Sequence, residues 1–353
     1  MSYNNGLDDP TLYFSTTLWS GDGNDNRDIV VDGSGMQVDL LWLKERTSTG
    51  WHNVFDSIRG NSKALNTNVS NAESTQATTH KQMNSNGFRI GNDADVNNSG
   101  DTYVAWTWKA GTSFTNDASE TGIGTIDSSG SVNTDAGFSI VSYTGNNTNG
   151  ATIGHGLGVA PKMIIVKNRD GAYDWITGTD AIGWTKYIEL NTTIAATTDN
   201  KFYDTAPTST IFTTAADAAV NSNSQNHIAY CFAEKQGYSK VGGSYTGNGN
   251  ADGTFVYTGF KPAFVLYKVS STTSDWYIQD NKRLTYNVNN TRLEANNSDA
   301  EVTGAADSID MLSNGFKLRH TSASFNASGA TYIYMAFAEA PFVNSNGVPN
   351  NAR

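Results

Sequence analysis

The stretch Tyr103-Val-Ala-Trp-Thr-Trp108 returns twice in variant form, as His227-Ile-Ala-Tyr-Cys-Phe232 and as Tyr332-Ile-Tyr-Met-Ala-Phe337. Residues of different character alternate along each copy, and a period of two is typical of a β-strand with two unlike faces. The pattern predicts that one face of this closing strand lies in the core. That face carries Trp106, Trp108, Phe232, Met335 and Phe337.

Other motifs precede the closing strand in the same order in all three copies. Each copy opens on an aromatic residue and a Gly/Asn-rich turn, at Trp19-Ser-Gly-Asp-Gly-Asn24, Tyr143-Thr-Gly-Asn146 and Tyr245-Thr-Gly-Asn-Gly-Asn250. An apolar run that includes a lysine follows, and then a tryptophan. Between the first two copies, the opening and closing motifs are offset by the same number of positions. This ordered agreement indicates three tandem repeats.

The repeat predicts an all-β chain of tandem β-sandwich modules, of jelly-roll or concanavalin-like type. Its first and last strands are expected side by side, by analogy with such folds. The run Met163-Ile-Ile-Val166 indicates a strand buried on both sides or deep in a sandwich. Asn86-Gly87 and Asn314-Gly315 predict tight hairpins. The predicted segments are an N-terminal arm (1–12), module 1 (13–110), a linker or added hairpin (111–136), module 2 (137–236), module 3 (237–342) and a C-terminal tail (343–353).

Composition excludes several classes of protein. The 353-residue chain has a net charge of −11 and no basic cluster, so a nucleic-acid-binding role is not expected. The single cysteine, Cys231, excludes an intrachain disulfide and fits folding in a reducing cytoplasm. No secretory signal is visible, and no apolar run is long enough to span a membrane, so we expect no membrane insertion.

The sequence predicts no enzyme. The five histidines are scattered, and His227 stands where the other copies have Tyr103 and Tyr332, which indicates a packing role. Neither a nucleophile elbow nor a phosphate-binding loop is present. We therefore expect no catalytic residues and no cofactor, apart from one weak calcium candidate.

Two sets of residues are candidate binding sites. Asp22, Asn24, Asn26 and Asp28 form the densest group of oxygen ligands, which calcium favours, although an Asx-rich turn without an ion explains them as well. The three matched tryptophans are candidates for stacking on a glycan, with core packing as the alternative reading. They are Trp51, Trp175 and Trp276.

The motifs together resemble a repetitive module of structural proteins from tailed bacteriophages, especially those of marine bacteria. The resemblance covers nearly the whole chain. It lies in Phe138-Ser-Ile-Val-Ser-Tyr-Thr-Gly-Asn146, Gly154-His-Gly-Leu-Gly158, Ala160-Pro-Lys-Met-Ile-Ile-Val-Lys167, His227-Ile-Ala-Tyr-Cys-Phe-Ala-Glu234, Ser313-Asn-Gly-Phe-Lys-Leu318 and Met335-Ala-Phe-Ala-Glu-Ala-Pro-Phe342.

The resemblance implies a virion component that is assembled in the host cytoplasm and exposed on the particle surface. Two functions are open. The first is a head-decoration or knob-like structural protein, because the sequence shows no repetitive shaft. The second is a receptor-binding tail fibre or spike that recognises host surface glycans. The expected partners are other virion proteins, further copies of the chain in a homo-oligomer and, in the second case, host glycans.

Overall fold

The computed structural model of the chain describes residues 6–33, 35–304, 306 and 308–351. It is nearly all β, with 43% of residues in strands and 6% in helices. Module 1 is preceded by a 3₁₀ turn at Pro10–Leu12. Its elements are β1 (Phe14–Ser20), β2 (Arg27–Val30), β3 (Leu40–Glu45), β4 (Asn53–Asp56), β5 (Lys63–Asn66), β6 (Ser74–Thr75), β7 (His80–Asn84), β8 (Gly87–Ile90), α1 (Ala94–Asn97) and β9 (Thr102–Trp108).

The segment that the sequence left open as a linker or a hairpin forms a hairpin. Its two strands extend the sheet of module 2, because β11 pairs with β12 along its whole length. The elements of the hairpin and of module 2 are β10 (Thr112–Asn116), α2 (Ala118–Thr121), β11 (Ser128–Asn133), β12 (Phe138–Thr144), β13 (Ala151–Gly154), β14 (Met163–Asn168), β15 (Ile176–Thr179), β16 (Lys186–Glu189), β17 (Thr197–Thr198), β18 (Ile211–Thr214), α3 (Ala218–Asn221) and β19 (Asn226–Phe232).

Module 3 repeats the arrangement of module 1. Its elements are β20 (Ser239–Thr246), β21 (Phe255–Tyr257), β22 (Phe260–Val269), β23 (Tyr277–Asp280), β24 (Thr291–Glu294), β25 (Val302–Thr303), β26 (Ile309–Leu312), β27 (Gly315–Leu318), α4 (Ala323–Asn326) and β28 (Thr331–Pro341).

Each module is a sandwich of one large and one small antiparallel sheet. The large sheets have the orders β1-β9-β3-β4-β5-β6, β10-β11-β12-β19-β14-β15-β16-β17 and β20-β28-β22-β23-β24-β25. The first and last strands of every module are neighbours, as expected. The small sheets are β2-β8-β7, β13-β18 and β21-β27-β26. The prediction of tandem all-β sandwiches is confirmed.

The tight hairpins occur where predicted, but for a different reason. The turn residues of the first are Ser85 and Asn86, because Asn84 pairs with Gly87 inside the sheet. A Cβ on Gly87 would stand 2.0 Å from the carbonyl oxygen of Ile29 on the neighbouring strand. The glycine is therefore needed for the close approach of two strands and not for the turn itself.

The central strands of every large sheet are buried on both faces, as β3, β14 and β22 show. One face packs against the small sheet of its own module, which produces three separate outer cores. The opposite face packs against the other two modules in one central core. All six residues of β14 are buried, which agrees with the prediction for Met163–Val166. The predicted core residues of the closing strands are at most 2% exposed, and all of them lie in the central core.

Three aromatic rings mark the axis around which the modules are arranged. Trp108, Phe232 and Phe337 hold the same position on the three closing strands. Their ring centroids are 6.4, 5.6 and 6.1 Å apart, so each ring contacts the other two. The three repeats thus form a pseudo-threefold body within one chain, with a shared core where they meet.

Candidate functional site

The predicted calcium residues do not converge on one site. The Asp22 carboxylate accepts hydrogen bonds from Asn97 Nδ2 and from the Asn24 backbone, and it lies 3.4 Å from Arg27. Asp28 is held elsewhere, in a two-bond ion pair with Arg89 at 2.7 and 2.8 Å. Within the described residues, no group of three or more His, Cys, Asp and Glu side chains is placed to hold a metal ion.

The repeat explains what this loop does. Asn97 belongs to a set of equivalent buried asparagines at the ends of short helices, with Asn221 and Asn326 in the other modules. Each amide accepts a hydrogen bond from the backbone of the opening turn, at Asp22, Asn146 and Asn248. Since two of those turns have asparagine where the first has aspartate, the loop is a structural Asx turn in all three copies.

The three tryptophans proposed for glycan stacking are not equivalent in space. The strand pairs Leu43↔Asn53, Val166↔Ile176 and Tyr267↔Tyr277 place the modules in register. The residues that immediately precede Asn53, Ile176 and Tyr277 are therefore equivalent, and they are His52, Trp175 and Trp276. Trp51 is therefore one position out of register. Its true counterparts, Asp174 and Asp275, accept hydrogen bonds from Asn191 and Asn296.

Burial excludes two of these tryptophans as stacking surfaces. Trp175 and Trp276 are each 1% exposed, and their indole N–H groups donate to carbonyl oxygens of the preceding module. The acceptors are Asn66 at 2.9 Å and Glu189 at 2.7 Å. In module 1, His52 has this position and accepts a hydrogen bond from Trp42. Only Trp51, at 38% exposure, presents a ring to solvent.

The module 1–module 2 interface contains a buried charged network. Tyr230 of module 2 donates its hydroxyl to Asp56 at 2.7 Å, and Asp56 pairs with Arg59 at 2.5 Å. Arg169 of module 2 reaches Glu73 at 2.9 Å, and Glu73 also pairs with Arg59. Burial holds the pKa of the Tyr230 hydroxyl well above its usual value, so it donates its proton in this network.

The module 1–module 3 interface repeats the network with a tryptophan as the donor. Trp106 donates its indole N–H to Asp280 at 3.1 Å, and Asp280 pairs with Arg283 at 2.6 Å. Arg46 reaches Glu301 at 2.8 Å, and Glu301 also pairs with Arg283.

The module 2–module 3 interface lacks this network at the equivalent positions. Thr179 and Ile182 stand where the other modules have aspartate and arginine, and Met335 replaces the aromatic donor. Ala196 and Ser270 replace the outer glutamate and arginine, while the backbone hydrogen bond between them remains at 2.9 Å. A buried aspartate opposite Met335 would be uncompensated, which is strongly destabilising. The three interfaces therefore differ in their buried polar side chains although the backbone contacts are equivalent.

The remaining titratable groups of the interior are structural. Burial lowers the pKa of Lys44, Lys167 and Lys268 to about 8, and their ammonium groups donate to backbone carbonyls. His227 is fully buried and stacks on Tyr143, which confirms its packing role. Burial raises the pKa of the Cys231 thiol to about 12, so it is protonated at neutral pH.

The terminal segments lie side by side on the body. Asp8 accepts a hydrogen bond from the backbone of Ser345, and Leu7 is buried in the central core. The Asn350 side chain donates to the carbonyls of Ala340 and Pro341. The described parts of the arm (1–12) and tail (343–353), residues 6–12 and 343–351, thus contact each other and the body. Residues 1–5 and 352–353 lie outside the described residues.

The sequence matches the family described as Domain of unknown function (DUF7483) over residues 9–341. The chain belongs to this family. The matched range spans the three modules and the hairpin between the first two. No curated protein and no solved structure matches the chain. Each described α-helix has four residues, and no helix among the described residues is long enough to cross a membrane.

Proposed function

We propose that this protein is a non-enzymatic structural component of a tailed bacteriophage, exposed on the particle surface as a head-decoration or knob-like protein. The observation that carries the proposal is the closure of three repeats into one body, with residues Asp8 and Ser345 adjacent on it. The chain therefore enters and leaves the body at one place. This arrangement suits a compact unit on a surface better than a segment of an extended fibre.

The proposal accounts for which equivalent positions are alike in the three modules and which differ. At the axis, the three modules keep an aromatic ring at the equivalent position, in Trp108, Phe232 and Phe337. Positions nearer the surface differ between modules, as the exposed Trp51 differs from the half-buried Asp174 and Asp275. A shared buried core with a varied surface fits a protein that acts through contacts with other virion proteins, and we include a homo-oligomer among these assemblies.

The test is to locate the protein on intact particles by electron cryo-microscopy, with antibody labelling as a second measurement. We expect the three-module body as a discrete density on the head, and we expect purified protein to bind particles that lack it. Density confined to the particle interior, or catalytic turnover of a host polysaccharide by the purified chain, would overturn the proposal.

The alternative is a receptor-binding tail fibre or spike protein that recognises host surface glycans. It is favoured by three exposed aromatic residues of module 3, Phe255, Tyr257 and Tyr286, which are 43%, 60% and 76% exposed. Exposed aromatic surfaces often mark interaction sites. In this case purified protein should bind host cells and block infection, and Tyr257→Ala should weaken both effects. Binding to particles but not to cells would leave only the decoration role.

A further inference from the structure

The small sheets of the three modules have equivalent edge strands, which are β2, β13 and β21. Each of these strands has one central residue that pairs with a buried phenylalanine of the neighbouring strand. The pairs are Ile29↔Phe88, Ile153↔Phe212 and Val256↔Phe316. The residues on either side of the central one are therefore equivalent as well, and they are Asp28 and Val30, Thr152 and Gly154, and Phe255 and Tyr257.

In module 3, the backbone of Phe255 and Tyr257 faces the outer edge of the sheet. The Thr254 carbonyl accepts a hydrogen bond from Leu318 N–H at 3.1 Å, and Thr258 N–H donates to the Asn314 carbonyl at 3.0 Å. Because successive residues of a strand direct their backbone groups to opposite sides, the N–H and C=O groups of Phe255 and Tyr257 point away from β27. In the part of the chain that the structure describes, no strand lies on that side of β21.

In module 2, the end of the inserted hairpin covers the equivalent edge. The Thr152 carbonyl accepts hydrogen bonds from the N–H groups of Thr125 at 2.8 Å and Ile126 at 3.1 Å. Thr152 N–H donates to Thr125 Oγ1 at 2.9 Å, and the Gly154 carbonyl accepts from the Ser128 hydroxyl at 2.8 Å. This edge of the sandwich therefore accepts an added segment of chain through the same backbone groups that face outward in module 3.

In module 1, the equivalent edge carries a charge. Asp28, the equivalent of Phe255, is paired with Arg89, and its side chain is 48% exposed. Charged side chains on an edge strand oppose pairing with a further strand. The edge of module 3 lacks this protection, because residues 254–258 include no charged side chain and the rings of Phe255 and Tyr257 are 43% and 60% exposed.

We propose that this edge of module 3 pairs with the same edge of a second copy of the chain, antiparallel about a twofold axis at Val256. Phe255 of one copy then stands opposite Tyr257 of the second copy. Each such pair exchanges both of its N–H···O bonds, and its two rings are cross-strand neighbours. The edge is thus self-complementary, as a twofold dimer requires. Its lack of charge allows two chains with a net charge of −11 each to meet there.

The contact is small, because one short strand from each copy takes part. The strand β21 has three residues, whereas stable interfaces bury roughly 1,200–2,000 Å². We therefore expect a weak, reversible dimer that becomes populated where copies are concentrated, as on a particle surface. The inference deepens the proposed function by giving its homo-oligomer a contact, and it rests on that function for the place where the dimer forms.

Analytical ultracentrifugation of the full chain, from micromolar to millimolar concentration, measures the association. We expect a reversible equilibrium between monomer and dimer. Tyr257→Lys should raise the dissociation constant about tenfold or more, because it places a charge on the edge beside the twofold axis. Val30→Lys is the matched control, since it makes the same change at the equivalent position of module 1, where Val30 is 58% exposed. Both variants should fold, and only Tyr257→Lys should lose association.

Cysteine cross-linking tests the register of the pairing. Phe255 and Tyr257 of opposite copies should have Cα atoms about 5.5 Å apart, which is the separation that a disulfide needs. A mixture of Phe255→Cys and Tyr257→Cys chains should therefore form an oxidised dimer. Either variant alone should form far less, because identical positions are displaced along the two strands. The natural cysteine, Cys231, is buried and does not compete.

Three results would each overturn the proposal. The wild-type chain stays monomeric at millimolar concentration, Val30→Lys weakens the dimer as much as Tyr257→Lys does, or the mixture cross-links no more than either cysteine variant alone. A monomeric chain would leave this edge to an extended segment of a different protein. None of these results bears on where the protein sits on the particle, which microscopy measures separately.

Discussion

At the scale of single residues, the interfaces show how one side chain decides whether a buried charge is tolerated. Asp56 is acceptable in the interior because Arg59 and the hydroxyl of Tyr230 both bind it. The equivalent position in module 2 is Thr179, and the residue opposite it is Met335, which offers no hydrogen-bond donor. At equivalent interface positions the chain thus has either a carboxylate with hydrogen-bond partners or an uncharged side chain.

Tyr230→Phe should destabilise the protein by about 1–3 kcal/mol, because it removes a donor from a buried carboxylate while leaving the ring in place. Denaturant unfolding measures the loss. Tyr334→Phe is the control, since the Tyr334 hydroxyl has no hydrogen-bond partner among the described residues. If the two variants lose equal stability, the hydroxyl of Tyr230 does not stabilise the interface.

Acid should destabilise the fold through its buried histidines. Burial lowers the pKa of His80, His155 and His227 to about 4, below the usual value of 6.5. As the pH falls from 6.5 to 4, the unfolded chain takes up protons that the folded chain does not. Stability is therefore present above pH 6.5 and lost through this window, by about 1.4 kcal/mol per pH unit for each histidine.

His227→Tyr tests this pH dependence at one position. Tyr103 and Tyr332 hold the equivalent place and donate their hydroxyls to the carbonyls of Ala94 and Ala323. Tyrosine should therefore fit at position 227 and remove one proton-binding group. Unfolding curves at pH 7 and pH 5 should show a smaller acid loss in the variant than in wild type. An unchanged difference would mean that His227 does not titrate as described.

At the scale of elements, the hairpin β10–β11 is the main departure from the threefold repeat. Its strands pair with the edge of module 2, and its far end bridges to the small sheet at Ile126 and Ile153. The Ser, Thr and Gly content of 111–136 is also typical of a flexible linker. Composition alone could not distinguish a linker from a hairpin, because β12, the strand with which the hairpin pairs, lies outside residues 111–136.

Limited proteolysis with chymotrypsin should cleave after Tyr286 before it cleaves after Phe114. Tyr286 is 76% exposed in an irregular segment, whereas Phe114 is half-buried within the paired hairpin. Mass spectrometry of the early fragments identifies the first cut. Early cleavage after Phe114 would show that the hairpin opens readily and behaves as a linker.

At the scale of the whole molecule, the shared core should make the three modules unfold together. Phe337→Ala removes one of the three rings on the axis and should cost about 3–5 kcal/mol. The loss should appear in one transition for the whole chain, as measured by calorimetry. Phe255→Ala is the control, because that ring is exposed on the outside of module 3. A separate transition for module 3 alone would contradict a common core.

The sequence by itself determined the all-β class, the number of repeats and the buried face of each closing strand. These properties follow from local alternation and from comparison of the chain with itself, which need no knowledge of distant contacts. The register error at Trp51 shows the limit of this reasoning. The comparison of the repeats matched Trp51 with Trp175 and Trp276 because all three are tryptophan. The strand pairing instead places His52 at the position of Trp175 and Trp276.

Only the tertiary structure decided how the repeats are assembled. A strand buried on both faces has the same apolar pattern whether it lies within one sandwich or between three modules, so Met163–Val166 could not reveal the central core. The networks of Asp56 and Asp280 also join residues that are 174 positions apart in the sequence. Such contacts arise only when folding brings distant segments together, and therefore no local pattern predicts them.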